Sequence, residues 1–140
     1  IRFTPNLRVQ GIEDSDPVPL FEALAKRLEE LQVPWIELRE PYCAQPDGPE
    51  PTDRVSPTMR PFYSGKIFLN GGFGPDSARE RLAEGVADGI SFGRPFIANP
   101  DFVRRAAEGA PFNAGDSSTF YGGGAQGYVD YPTLDESEAA

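Results

Sequence analysis

Histidine is missing from this sequence altogether, and cysteine, methionine and tryptophan occur once each. With no histidine there is no imidazole to activate the one thiol, so Cys43 reads as a bystander rather than a nucleophile. A lone cysteine also excludes an internal disulfide, which suits a reducing compartment. No apolar run is long enough to span a bilayer, and the opening residues carry no signal-peptide pattern, so the expected location is the cytoplasm. Positive charge is scarce as well: 13 Lys and Arg stand against 22 Asp and Glu, a formal net charge of −9. Binding to nucleic acid or to an anionic membrane surface would be opposed electrostatically, and neither is expected as a partner.

Glycine and proline are plentiful, 15 of each, and they divide the chain. Ile1-Arg2-Phe3 reads as the end of a strand running into a loop, and Asp16 with Pro17 reads as the N-cap and first residue of a helix. Leu20, Phe21, Leu24, Ala25, Leu28 and Leu31 recur at helical spacing and predict an amphipathic helix lying on a sheet. Trp35 to Leu38 is a short strand candidate. The proline-rich segment from Glu40 to Pro61 reads as an irregular excursion with one helical turn near Thr58 to Tyr63. Ile67 to Asn70 predicts a third, buried strand, followed by a helix whose expected capping box is Ser77 and Glu80 and whose buried side is Ala78, Leu82 and Val86. Ile90 to Phe92 predicts a fourth. Asn99 is the expected cap and Pro100 the first residue of a further helix, with Gly109 as its stop. Asp116 to Leu134 has no helical or strand periodicity and predicts an extended loop pinned by its aromatic rings, and the residues beyond Asp135 are expected to fray.

Strand followed by helix is therefore the repeating unit, which predicts an α/β fold with a parallel sheet or part of a barrel. Two of the strands end alike, one at Gly71-Gly72 and the other at Gly93-Arg94. Glycine lets backbone N–H groups approach an anion closely, and arginine adds a planar, permanently charged fork. In (βα)8 barrels the loops after the last two strands commonly bind a phosphate. Ordinary turn glycines beside a solvated arginine would look the same, so two readings stand at this level. At 140 residues the chain is shorter than the roughly 200 residues or more of a complete barrel, and it opens inside a strand without a methionine; a fragment is expected.

Three motifs in order, Asn70-Gly71-Gly72-Phe73, Phe92-Gly93-Arg94-Pro95-Phe96-Ile97-Ala98-Asn99-Pro100-Asp101, and Thr119-Phe120-Tyr121 through Gly127-Tyr128 to Asp130-Tyr131-Pro132, resemble the C-terminal part of the old yellow enzyme family, the FMN-dependent ene-reductases that include 12-oxophytodienoate reductase-like members. Gly11 to Asp16 and the strand end Arg2 to Pro5 add weaker likeness, with Thr4 where the family usually has serine. The resemblance implies that residues 1–134 form the C-terminal half of an FMN-binding TIM barrel, strands five to eight, with an extended aromatic C-terminal tail, and that 135–140 are a frayed end. It implies that Gly71, Gly72, Gly93 and Arg94 hold the FMN phosphate, that Arg2 stands beside the pyrimidine edge of the flavin, that Phe120 packs against the flavin, and that Tyr121 faces the substrate. Arg2 is otherwise an exposed strand-end charge, and both aromatics are otherwise plain packing anchors.

The activity so implied is reduction of the C=C bond of an α,β-unsaturated carbonyl compound, a small-molecule enone, with NADPH or NADH as reductant. The family's carbonyl-polarising histidine pair, or histidine and asparagine, and its proton-donating tyrosine belong to the fourth strand and its loop. Loss of the polarising donors alone would cost on the order of a hundredfold or more in rate, so this chain is expected to need the N-terminal half of the barrel and to carry no catalytic residue itself. Two other readings remain: a stand-alone half-barrel that binds FMN or a phosphorylated ligand without catalysis, and another phosphate-binding barrel enzyme, which would leave the aromatic tail unexplained.

Overall fold

A computed structural model describes residues 1–5, 14–40, 54–122 and 124–138. Gly11 to Glu13, Cys43 and Gly123, which figure in the sequence reading, lie outside the described residues. The chain divides into two units, Ile1–Ser91 and Phe92–Ala140.

The first unit is a four-stranded parallel sheet in the order β1 (Arg2–Phe3), β2 (Trp35–Arg39), β3 (Lys66–Asn70), β4 (Gly89–Ile90). Its register places Arg2 opposite Glu37, Ile36 opposite Ile67, Leu38 opposite Leu69, and Leu69 opposite Ile90. Side chains alternate between the two faces of a strand. Ile36, Leu38, Ile67 and Leu69 accordingly fill one face and are fully buried, whereas Glu37, Arg39, Phe68 and Asn70 on the other are only half-buried.

Helix α1 (Pro17–Glu30) starts with Asp16 as N-cap, as expected, but the Asp16 side chain makes no capping bond. It buries Phe21, Ala25 and Leu28, and Phe21 meets Phe3 of β1 edge-on at 6.4 Å. Leu20 and Leu31, expected in the same stripe, are exposed. The helix ends in a Schellman turn: Val33 N–H donates to Leu28 O and Gln32 N–H to Glu29 O, with Gln32 at φ 50° in the position glycine usually takes. The expected helical turn near Thr58 is α2 (Ser56–Met59) followed by a 3₁₀ turn at Arg60–Phe62. Helix α3 (Pro75–Ala83) begins before the expected box, capped at Gly74. Ser77 Oγ accepts from Gly74 N–H at 3.1 Å; glycine has no side chain to return the bond, so the box is half-made. Ala78 is buried, but Leu82 is exposed.

In the second unit, α4 (Arg94–Ala98) follows Gly93 directly, and α5 (Phe102–Glu108) has Asp101 at its N-cap position without a side-chain capping bond. The expected cap, Asn99, is buried between the two helices in sequence and spends its side chain elsewhere: Nδ2 donates to Pro95 O at 2.9 Å and Oδ1 accepts from Asn113 N–H at 2.7 Å. Phe102 is ringed by Phe92, Phe96 and Phe112 at centroid distances of 4.8, 5.0 and 5.2 Å. Arg105 is fully buried. Its guanidinium donates to Asp101 Oδ1 at 2.7 Å, Pro111 O at 2.5 Å and Pro132 O at 3.0 Å, which neutralises the charge and ties both ends of the following segment to α5.

That segment is not the extended loop expected from the sequence. It runs through successive turns, with Thr119 N–H on Asp116 O and both Tyr128 N–H and Val129 N–H on Ala125 O. Tyr131 pins it through its hydroxyl, which accepts from Asp116 N–H at 2.8 Å, while Tyr128 is exposed. Of the end expected to fray, Asp135 to Glu138 continue α6 (Leu134–Glu138), with 139–140 outside the described residues, and Arg104 reaches Asp135 at 2.8 Å. Among the described residues, no helix is long and apolar enough to cross a membrane.

Candidate functional site

The carboxyl edge of a parallel sheet is where such folds collect polar and ligand-binding groups, because the loops there leave the strands with their side chains free of the helical layer. In the first unit this edge holds a closed ring of four side chains, one from each strand or its immediate continuation. Arg2 donates through a terminal guanidinium nitrogen to Asn70 Oδ1 at 3.1 Å, and its Nε lies 3.5 Å from Glu37 Oε2. Asn70 Nδ2 donates to Ser91 O and to Ser91 Oγ, both at 3.0 Å. Ser91 Oγ closes the ring by donating to Glu37 Oε1 at 2.5 Å. Arg2 is thereby held on two sides, and its side chain is 50% exposed.

Immediately after Asn70, the backbone turns through Gly71 at φ 145° and Gly72 at φ 77°, conformations that L-residues with a Cβ rarely adopt. Gly71 is buried and Gly72 half-buried. Phe73 follows, buried beneath the Arg54 guanidinium 4.8 Å from its ring centre. Arg54 Nη1 in turn lies 3.9 Å from Glu40 Oε2. Glu40 is fully buried and accepts from Val55 N–H, Ser56 N–H and Ser56 Oγ at 2.8, 2.8 and 2.7 Å. Burial pushes its carboxyl above the usual range, against the pull of these donors.

The second unit carries the other residues singled out from the sequence. Gly93 caps α4, and the place a Cβ would take there is open, with no atom within 4 Å. Arg94 is the exposed first residue of that helix. Phe120 is half-buried against Gly115, where an added Cβ would come within 2.8 Å of its ring. Tyr121 is 92% exposed. The structure thus joins Arg2 to the end of β3 in one unit and sets Gly93 beside Arg94 in the other.

No protein-family model matches the chain. Among curated proteins, a 12-oxophytodienoate reductase-like protein of Solanum lycopersicum is 35% identical over 126 residues, covering 89% of this chain and 34% of that protein. Among solved structures, morphinone reductase superposes with a TM-score of 0.85 at 38% identity, over 97% of this chain and 36% of that one. An old yellow enzyme homologue from Zymomonas mobilis gives the same TM-score and identity over 95% of this chain and 38% of that one. The chain matches a part of an old yellow enzyme-family protein.

The chain spans 34% to 46% of the length of the curated relatives it matches. Four parallel strands fit half of the old yellow enzyme barrel. Morphinone reductase has also been solved in complex with tetrahydroNAD. Three side chains of the ring escaped the sequence reading as site residues: Glu37, Asn70 and Ser91. The signal for Glu37 was present, a carboxylate between two aliphatic residues of a four-residue strand candidate, because alternation puts it on the face opposite Ile36 and Leu38. Its pairing with Arg2 depends on strand register, which one strand cannot reveal.

Proposed function

We propose that the protein to which this chain contributes is an FMN-dependent oxidoreductase that uses NADPH or NADH to reduce the C=C bond of α,β-unsaturated carbonyl compounds, and that this chain supplies strands five to eight of its barrel. The observation that carries the reading is Arg2, a half-exposed guanidinium fixed at the carboxyl edge of the sheet beside the strand that ends in Gly71 and Gly72. A fixed positive charge suits the pyrimidine edge of a flavin, where negative charge accumulates on reduction. The residues fit FMN in two further respects. The positive φ angles at Gly71 and Gly72 turn a glycine backbone at the end of β3, and the space beyond Gly93 is open. In this reading Gly71, Gly72, Gly93 and Arg94 hold the phosphate, Phe120 packs against the ring system, and Tyr121 faces the substrate. Bound FMN would accept two electrons from the nicotinamide and pass them to the alkene.

Activation of the enone is a different task, and it needs hydrogen-bond donors on the carbonyl oxygen. The family meets it with a histidine pair or histidine and asparagine, and this chain has no histidine. We assign that task to the N-terminal half of the barrel, with the present chain binding and orienting the cofactor. Expressing the complete reading frame tests the proposal. The expected product is a yellow protein that takes up FMN and consumes NADPH or NADH when an enone is added; a colourless protein that takes up no FMN would overturn it.

A further inference from the structure

We propose that Glu37 is a positioning residue that sets the strength of the Arg2 charge felt by the flavin, with Ser91 as the hinge that aims it. The inference rests on the flavin reading above and goes beyond it. Arg2 alone is a unit positive charge at the sheet edge. Glu37 Oε2, 3.5 Å from Arg2 Nε, turns that charge into one end of an ion pair, whose field falls off faster with distance than that of a lone cation. The carboxylate is no loose surface partner: its side chain is 20% exposed, and Ser91 Oγ holds its other oxygen at 2.5 Å. Ser91 is fixed in turn by Asn70, which also takes a hydrogen bond from Arg2. The ring therefore fixes both the position of the guanidinium and the place of the counter-charge that weakens it, using one residue from each of β1, β2 and β3 and one just past β4. Nothing in the sheet core requires this arrangement, since the apolar face is filled by Ile36, Leu38, Ile67 and Leu69.

The test is the reduction potential of FMN bound to the full-length protein, measured for wild type, Glu37→Gln, Glu37→Asp, Ser91→Ala and Arg2→Gln. Glu37→Gln keeps the shape and removes the charge; it should raise the potential so that the reduced-to-oxidised ratio at a fixed poise increases about tenfold, about 30 mV for a two-electron couple. Glu37→Asp should keep a potential close to wild type, because the carboxylate remains. Ser91→Ala should shift it less than Glu37→Gln, since both charges survive, and Arg2→Gln should lower it. A potential unchanged in Glu37→Gln, with only a lower melting temperature, would make the residue structural and overturn the inference while leaving the flavin reading in place. A potential unchanged in Arg2→Gln would remove Arg2 from the flavin and the inference with it. A wild-type protein that binds no FMN would overturn both.

Discussion

Arg94 is the exposed first residue of α4, directly after a glycine with open space beside it. If it grips a phosphate, its value lies in a charge-assisted, bidentate contact that lysine or a neutral residue cannot reproduce. Arg94→Ala should weaken FMN binding by the full-length protein about tenfold to a hundredfold, while the melting temperature of the FMN-free protein stays near wild type. Fluorescence titration with FMN and a thermal melt measure the two; unchanged affinity with a lower melting temperature would mark the residue as structural. Arg94 was visible in the sequence because a strand, a glycine and an arginine are neighbours along the chain. Glu37 was invisible as a partner of Arg2 because its significance lies in the pairing of β1 with β2, two strands separated by all of α1. The burial of Arg105 is illegible for a related reason: arginine near the end of a helix suits the dipole from the surface, whereas here two carbonyls and Asp101 take it inside.

Elements are held in register by a few polar nodes, of which Asp88 is the clearest. Its carboxylate accepts from Lys66 Nζ at 2.7 Å, from Arg60 at 3.0 Å and from Ile67 N–H at 3.0 Å, joining the entry to β4 with the start of β3 and the 3₁₀ turn before it. The hydrogen bond from Lys66, with help from the Ile67 N–H and the two cations, holds its pKa below the ordinary aspartate value, against the cost of burial. Because the folded-state value lies below the unfolded one, about 3.9, Asp88 stabilises the fold above that pH, and the contribution is lost as pH falls through the folded-state value. Asp88→Asn should therefore cost on the order of 1 kcal/mol at pH 7, after solvent screening of the ion pairs, and less at pH 3. Urea midpoints at the two pH values would show it, and an equal loss at both would mean that the charge of Asp88 is irrelevant. Element boundaries were the least legible part of this scale. Ser77 with Glu80 and Asn99 with Pro100 both fit the local rules for a helix start. The first of these helices instead starts earlier, at Gly74-Pro75, where proline in the first turn does the same work, and the second starts later, at Asp101-Phe102, after the separate short helix α4.

For the whole molecule, the strand-helix repetition was legible because hydrophobic alternation and helical periodicity are local, and the parallel sheet follows from it. The form of the segment after Gly109 was not, since its turns and its anchorage depend on α5. One face of the sheet carries Trp35, half exposed, edge-on to Phe68 at 5.9 Å, and the sheet is open at β1 and β4 among the described residues. Unpaired strand edges and uncovered aromatic surface favour association. The chain expressed alone should elute well above its 15.3 kDa monomer mass in size-exclusion chromatography with light scattering, increasingly so at higher concentration; a monodisperse monomer would refute this. The Arg105 guanidinium has a last consequence. Pro111 O and Pro132 O hang on the same side chain, so the stretch between them, with Phe120 and Tyr121 within it, is a noose held by that peg, with Asn113 Nδ2 on Pro132 O and Tyr131 on Asp116 N–H as further ties. Doubling the length of such a noose costs only about 0.6 kcal/mol in closure entropy, whereas losing the peg takes the Arg105 donor from Pro111 O and leaves Pro132 O to Asn113. The stretch can therefore lengthen at small cost, and so change what it touches, while the peg stays where it is.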